Sequence, residues 1–400
     1  MRLTRSNRYR TLATGLPRVN GVTEGTTVSL LSDARAQREA SRQRGVGPAS
    51  TRRWEPWFPI ATFIIIATVV VMVSVSAHAL LPLLHRGHGH HRDWADAFAW
   101  WDGWWYSAIA RHGYFVFSPH RQSPVAFFPA FPLLMRILGA LVGNPMVAGV
   151  LLSLIFGLGD AVLVHRWCHD KLGPEKARFC VLVLLVYPFA FYLMGAVYAD
   201  GLFLLTTLAA FLALEADRPV LSGLAAAAAT ASRPVGAALV LGLWVRALER
   251  RGILCRAQGS GPFNVSLKRP FRGRLGRADA GLLLAPFGLV AYLRLSGGAL
   301  RPTASVCGRG RSPRLESGTR TAHVAEGKLV FSAVAVLGAA VSTKDFVGMG
   351  RYCIAAFPCF AAAGELLFLA RRRVALAAMA GCGGTLLLLA ELHARGTLVS

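Results

Sequence analysis

The sequence predicts an all-α polytopic membrane protein, and three observations carry that prediction. Of the 400 residues, 54% are hydrophobic and only 16% are charged, whereas a soluble domain carries about 25% charged residues. That deficit is what a lipid-facing surface demands. Apolar runs recur along the chain, several of them at the roughly 20 residues that a membrane helix needs. The net charge of +24 gathers between those runs. In a soluble protein it would suggest nucleic acid. Basic loops between apolar spans mark instead the cytoplasmic face, beside anionic lipid, and no nucleic-acid partner is expected. The seven cysteines are irregularly spaced and include no CxxC pair, so they read as small buried hydrophobes rather than a disulfide framework or a zinc site.

Residues 1–56 hold 11 Arg, no Lys and 4 acids, the composition of a disordered basic cytoplasmic tail. A membrane domain over 57–395 follows. Its first apolar run, Phe58 to Leu84, is long enough to span. The "AHA" at 77–79 resembles a signal-peptidase site, but the run exceeds the ~7–15-residue apolar core of a signal peptide. An uncleaved anchor with a cytoplasmic N-terminus is therefore expected. Residues 85–145 become the first extracytoplasmic loop. Its opening histidines, His85, His88, His90 and His91, sit among Gly and Arg and read as a solvated loop rather than a metal site. Residues 125–142 are apolar but carry Pro129, Pro132 and Arg136, which predicts a helix in the outer interface.

Further spans are expected at Met146–Trp167, Phe179–Val197 and Leu202–Leu214. Leu221–Leu248 is interrupted by Ser232-Arg233-Pro234 and predicts two short helices, since a break at membrane depth needs protein or a wet cavity around it. Residues 249–277 form a cytoplasmic loop, with eight Arg or Lys and no acid from 250 to 277. Apolar runs at 279–295, 328–342, 352–370 and 374–391 bring the expected total to about nine or ten transmembrane helices. Parity places Arg351 and the segment 296–327 outside. That segment is atypical, with five Arg among Gly, Ser and Pro.

Five of the nine tryptophans lie between Trp94 and Trp105, around Asp102. On a helix, Asp102, Tyr106, Ile109 and Gly113 fall near one face and Trp101, Trp105 and Ala108 on a neighbouring stripe. Two readings stay open: an aromatic belt with a solvated aspartate, or a carboxylate facing a cavity as a general base, strengthened by burial among indoles. Asp160 and Arg233 lie inside apolar spans, where a charge costs about 2.5–3.5 kcal/mol and so calls for a partner or a cavity. Tyr198 and Asp200 sit at an outer turn, where a turn former is the alternative. Arg351 opens a span at the outer face, as a lipid-phosphate ligand or an interface anchor.

The motif "WWDGWWYSAIARHGY" (100–114) resembles the first outer-loop signature of the PIG-V-like mannosyltransferases, members of the GT-C superfamily of membrane glycosyltransferases. Asp102, Tyr106, Ile109, Ala110, Gly113 and Tyr114 match its pattern. "FFPAFPLL" (127–134), "YPFAFYLMGAVYADGLFLL" (187–205), "LSGLAAAAATASRPVGAALVL" (221–241) and "GRYCIAAFPCF" (350–360) resemble later segments in the family's order. Asp200 stands where the family has Glu, and Gly350 where it has Pro. Residues 255–345 match poorly, apart from "LLLAPFGLVAYL" (282–293), and a reading-frame slip would account for the missing aromatic character of 296–327. The resemblance implies a GT-C-like helical bundle that transfers mannose from a polyprenyl-phosphate donor to a lipid, glycan or protein acceptor. It implies Asp102 as general base, Arg233 and Arg351 on the phosphate, and Trp105, Tyr106, Tyr198 and Asp200 shaping the substrate site. No metal is required, because arginines can stabilise a monophosphate leaving group. The Ala/Gly/Arg/Leu-rich usage points to a bacterial, actinobacterial plasma membrane. Two other classes stay open: a transporter with Asp160, Arg233 and the histidines on its path, and a non-catalytic envelope protein.

Overall fold

The computed structural model describes residues 54–84, 93–114, 124–256, 265–267, 276–296, 326–342 and 349–399. The basic tail up to residue 53, the histidine stretch 85–92 and residues 297–325 of the atypical segment lie outside the described residues. Thirteen helices are described: α1 Trp57–Leu80, α2 Asp102–His112, α3 Ala130–Val142, α4 Pro145–Leu172, α5 Pro174–Val186, α6 Asp200–Glu215, α7 Pro219–Thr230, α8 Gly236–Arg250, α9 Phe287–Ser296, α10 Glu326–Ser342, α11 Met349–Tyr352, α12 Phe357–Leu369 and α13 Arg372–Ala394. Short 3-10 turns lie at Trp94–Phe98, Ala190–Leu193 and Arg277–Leu284. A small antiparallel ribbon pairs β1 Leu254–Arg256 with β2 Val265–Leu267.

The protein is an all-α polytopic membrane protein. Helices α1, α4 and α13 are long and apolar enough to cross a membrane, and α11 with α12 makes a fourth span if this pair, bent by 87°, is counted as one. Among the described residues, the other apolar runs fold as shorter helices that this length-and-composition criterion does not count. Proline explains two of the interruptions, because it lacks an N–H and clashes with the preceding turn. Pro188 follows the end of α5, and Pro234 lies in the break between α7 and α8. Elsewhere proline starts a helix, where its missing donor costs nothing. In α4 it does so beside Asn144, whose side chain accepts from the Met146 N–H at 2.9 Å.

Within the stretch 125–142 the chain forms helix α3. Leu133, Ile137 and Leu141 are 56%, 57% and 81% exposed, one stripe at helical spacing. Phe131, Met135 and Gly139 face the protein. An exposed apolar stripe of this kind suits lipid. Ile64, Ile65 and Met72 of α1 are exposed in the same way. The cysteine expectation holds for Cys168 and Cys180, which are free and buried, and is corrected for Cys359, which is free and exposed.

The bundle has two chemically distinct ends. At one, Arg178 meets Glu55 at 3.0 Å, Lys171 meets Glu215, and Arg251 meets Asp279 at 2.8 Å. At the other lie α2, the 190–199 loop, the α7–α8 break and α11. Lys328, near the start of α10, pairs with Glu215 at the basic end and lies over the Trp167 ring. Tyr292 of α9 instead packs on Phe128 and Tyr114 at the other end. The two flanks of 296–327 thus sit at opposite ends of the bundle, Lys328 beside its counter-charge at the basic end and Tyr292 at the other.

Helix α4 crosses the 190–193 turn with no room to spare. A Cβ at Gly157 would collide with the Leu193 carbonyl oxygen. Gly157→Ala is expected to cost about 1–3 kcal/mol by overpacking. Gly384→Ala, where a Cβ meets open space, is expected to be neutral or stabilising. Thermal unfolding of both variants in detergent checks this.

Candidate functional site

Asp102 begins α2, and the residue before it, Trp101, has φ +56°. A bulky residue in that left-handed region costs of order 1–3 kcal/mol and persists only where its surroundings hold it. The Trp100 carbonyl accepts from the Gly103 N–H and from the Tyr198 hydroxyl, both at 3.0 Å. The Trp100 indole N–H donates to the Ala394 carbonyl at 3.0 Å, and the Val197 N–H donates to the Phe98 carbonyl at 2.8 Å. The loop before Asp102 is thus stitched to the loop before Asp200 and to the end of α13.

Four charged side chains from distant segments meet beneath this loop. Arg351 of α11 donates from Nη1 to Asp102 Oδ2 at 2.7 Å. Its Nε lies 3.9 Å from Oδ2 of Asp200. Oδ1 of Asp200 is ion-paired with Arg233 from the α7–α8 break. The order is Asp102–Arg351–Asp200–Arg233, two acids against two guanidiniums. Asp200 opens α6, where the helix dipole favours an anion. Arg233 and Arg351 are presented by the two places where apolar runs break.

Exposure is graded along the chain of charges. The side chains of Asp200 and Arg233 are 4% and 9% exposed, that of Arg351 15%, and that of Asp102 36%. The cluster therefore opens to its surroundings at Asp102. Aromatic faces close the rest. The Tyr352 ring lies 4.8 Å from the Arg233 guanidinium and 5.4 Å from that of Arg351. Tyr198 and Tyr192 flank Arg351 at 5.1 and 5.6 Å. Guanidiniums over aromatic faces are favourable, more so when desolvated. Tyr106 packs against Phe131, Phe127 and Tyr198. Burial pushes the hydroxyls of Tyr106 and Tyr198 well above the ordinary phenol value. Both remain protonated donors at neutral pH.

Six of the seven side chains that the resemblance assigns to the site thus come together: Asp102, Tyr106, Tyr198, Asp200, Arg233 and Arg351. Trp105 stacks on Phe127 at 5.8 Å and joins the site through that ring. The expected enclosure of Asp102 by indoles is corrected. Trp100 is buried and directed at Ala394, Trp101 and Trp104 are more than a third exposed, and the group that holds the carboxylate is a guanidinium. Asp160 lies beside the start of α6, next to Asp200 but outside the chain of ion pairs, fully buried in α4 with neither carboxylate oxygen hydrogen-bonded.

Three further residues belong to the site. Tyr192 and Tyr352 supply faces to the arginines. The His393 imidazole lies 5.2 Å from the ring of Phe191 and 5.9 Å from those of Tyr192 and Tyr198, with no hydrogen bond to either nitrogen. In sequence each looks ordinary: two tyrosines in apolar runs and a histidine in a last helical turn. The segment after α13 crosses the same wall, where the Tyr192 hydroxyl donates to the Val399 carbonyl at 2.6 Å.

No family model, curated protein or solved structure matches the chain. What the cluster can do rests on its chemistry. Arginines among aromatic faces can hold an anion, and a partly open carboxylate beside them can accept a proton. Among the described residues, no group of three or more His, Cys, Asp or Glu side chains could hold a metal ion.

Breaking the buried pair leaves an uncompensated charge. Arg233→Ala is expected to lower stability by about 3–5 kcal/mol. At the exposed Arg178–Glu55 pair, Glu55→Gln is expected to cost about 0–1 kcal/mol. Denaturation of both variants in detergent separates the two outcomes.

Proposed function

We propose that the protein is a membrane glycosyltransferase that moves a hexose, mannose by the resemblance, from a polyprenyl-phosphate carrier to a hydroxyl of a lipid, glycan or protein. One observation carries this reading. Asp102, Asp200, Arg233 and Arg351 each come from a different motif that resembles the PIG-V-like family, and they meet in one cluster. The fifth motif contributes Phe127 and Phe131, which pack on Tyr106. Residues scattered over four segments have no reason to converge for interface anchoring alone.

The basic end of the bundle suits the cytoplasm by the positive-inside rule. The charge cluster then faces the outside of a bacterial plasma membrane, and the amino-terminal end of α1 faces in. A lipid-linked donor presents its phosphate at headgroup depth, where the aromatic surround of α2 belongs. Arg351, with Arg233 behind it, offsets the charge that builds on the phosphate as it leaves. The acceptor oxygen attacks the anomeric carbon and forms the new C–O bond. The bond from that carbon to the phosphate oxygen breaks, and its electron pair departs with the polyprenyl phosphate. The hydroxyl proton passes to Asp102. Tyr106 and Tyr198, as donors, help to orient sugar or phosphate oxygens.

A transporter is the second reading. It is favoured by Asp160, a carboxyl in the middle of a spanning helix with no hydrogen bond to either oxygen. The two readings differ in which aspartate matters.

Sugar transfer from polyprenyl-phosphate mannose, measured in membranes holding wild type, Asp102→Asn or Asp160→Asn, discriminates them. Asp102→Asn is expected to lower transfer by about 10²–10⁴-fold, the usual share of a general base, and Asp160→Asn to leave most of it. Full transfer by Asp102→Asn would sink the base assignment. No transfer by verified wild-type protein would sink the enzyme reading.

A further inference from the structure

The two acids of the cluster are not equivalent. Asp200 is 4% exposed and committed to the buried Arg233, while its second oxygen stands 3.9 Å from Arg351 Nε, beyond a hydrogen bond. Asp102 is 36% exposed and reaches Arg351 through a single oxygen at 2.7 Å. Arg351 is an under-used donor. A guanidinium offers five N–H groups in a fork that suits oxyanions, yet its buried Nε makes no hydrogen bond here. Its surroundings are walls rather than competitors, because Tyr192, Tyr198 and Tyr352 present ring faces to it.

From this asymmetry, and resting on the glycosyltransferase reading for its ligand class, we propose that the Asp102–Arg351 pair is a displaceable latch over an anion site, which a lipid-linked phosphate opens by taking the place of Asp102. Charge balance supplies the reason. The closed cluster holds two carboxylates and two guanidiniums. A phosphate added without any departure would put a third anion beside two, in surroundings where like charges repel strongly. Asp200 cannot leave without stranding Arg233 as a buried unpaired cation. Asp102 can, because it already borders the open side. Its backbone is fixed by the stitched loop at Trp101, so release requires only a new side-chain rotamer. The exchange keeps Arg351 neutralised throughout.

The consequence is ordered chemistry. While the donor is absent, Asp102 is occupied by Arg351 and is not available to a hydroxyl. When the phosphate occupies Arg351, the freed carboxylate stands beside the sugar that the phosphate carries. The base is thereby supplied together with the electrophile it serves. The closed latch also taxes anion affinity, since a site that must first open binds more weakly by the fraction of time it is open.

The probe is dodecyl phosphate, titrated calorimetrically into purified full-length protein in dodecyl maltoside, with dodecanol as the uncharged control. Asp102→Asn removes the internal competitor and is expected to bind the probe about tenfold tighter, as it would if the latch were closed about nine-tenths of the time. Asp102→Glu, which can still reach Arg351, is expected to bind like wild type. Dodecanol affinity is expected to be the same in all three proteins. Tighter binding by a protein that transfers sugar less well is the signature, since a merely structural Asp102 would lose both. Equal or weaker phosphate binding by Asp102→Asn overturns the latch, as does a parallel rise for dodecanol. Should Asp102→Asn not fold, Asp102→Ser removes the same charge and is read by the same criterion. Asp102-sensitive phosphate binding without any sugar transfer would remove the enzyme reading and keep the latch. Transfer with Asp102-insensitive binding would do the reverse.

Discussion

The end of the bundle that carries the cluster depends on the ion pair between Asp200 and Arg233. Either charge alone, in an apolar surround, would be expensive. Together they fix where three pieces of chain must go: the first residue of α6, the break between α7 and α8, and, through the second oxygen of Asp200, the short leg of the bent α11–α12 pair. The break at 231–235 is tolerated because Arg233 is satisfied by protein rather than left to lipid. Geometry that would be a defect in an uninterrupted span becomes the means of delivering a guanidinium to the site.

The tyrosines around the arginines complete that logic. Tyr192, Tyr198 and Tyr352 exclude water from the guanidiniums without supplying rival counter-ions. Interactions within the cluster are therefore made in a medium less polarisable than water, where a charge-assisted hydrogen bond is worth more. Among the described residues, the Asp102 side is the more open one. The result is a site with a buried floor and a more exposed edge.

Much of this was legible in the sequence, for a simple reason. In a chain so poor in charge, an acid or arginine within an apolar run is conspicuous, because its burial must be justified. Arg233 and Asp160 stand out on that ground, Asp200 and Arg351 at the edges of such runs, and Asp102 by the tryptophans around it. Their pairing does not, since nothing local links Arg351 to a partner 249 residues earlier. Tyr192 and His393 were invisible because an aromatic in an apolar run is ordinarily core. The run from Phe179 to Val197 reads as one span, yet α5 stops at Val186, ahead of Pro188. Parity puts both flanks of the 296–327 segment on one side, because counting spans cannot show that Glu215 waits for Lys328. The tryptophans misled most. Their clustering in sequence suggested a shell around Asp102, but neighbours on a short helix and its lead-in loop radiate in different directions.

The 249-residue separation of Asp102 and Arg351 also has a temporal side. At about 5–20 residues per second of synthesis, some 10–50 seconds pass between the appearance of one and of the other. Asp200 and Arg233, only 33 residues apart, become available to each other within a few seconds at that pace. The nascent chain thus holds both members of its buried pair early, while Asp102 stays without its guanidinium until Arg351 has been made. An acid that must wait that long for its partner is one whose segment has to tolerate it unpaired. The partial exposure that Asp102 keeps in the finished protein is what such a history requires of it.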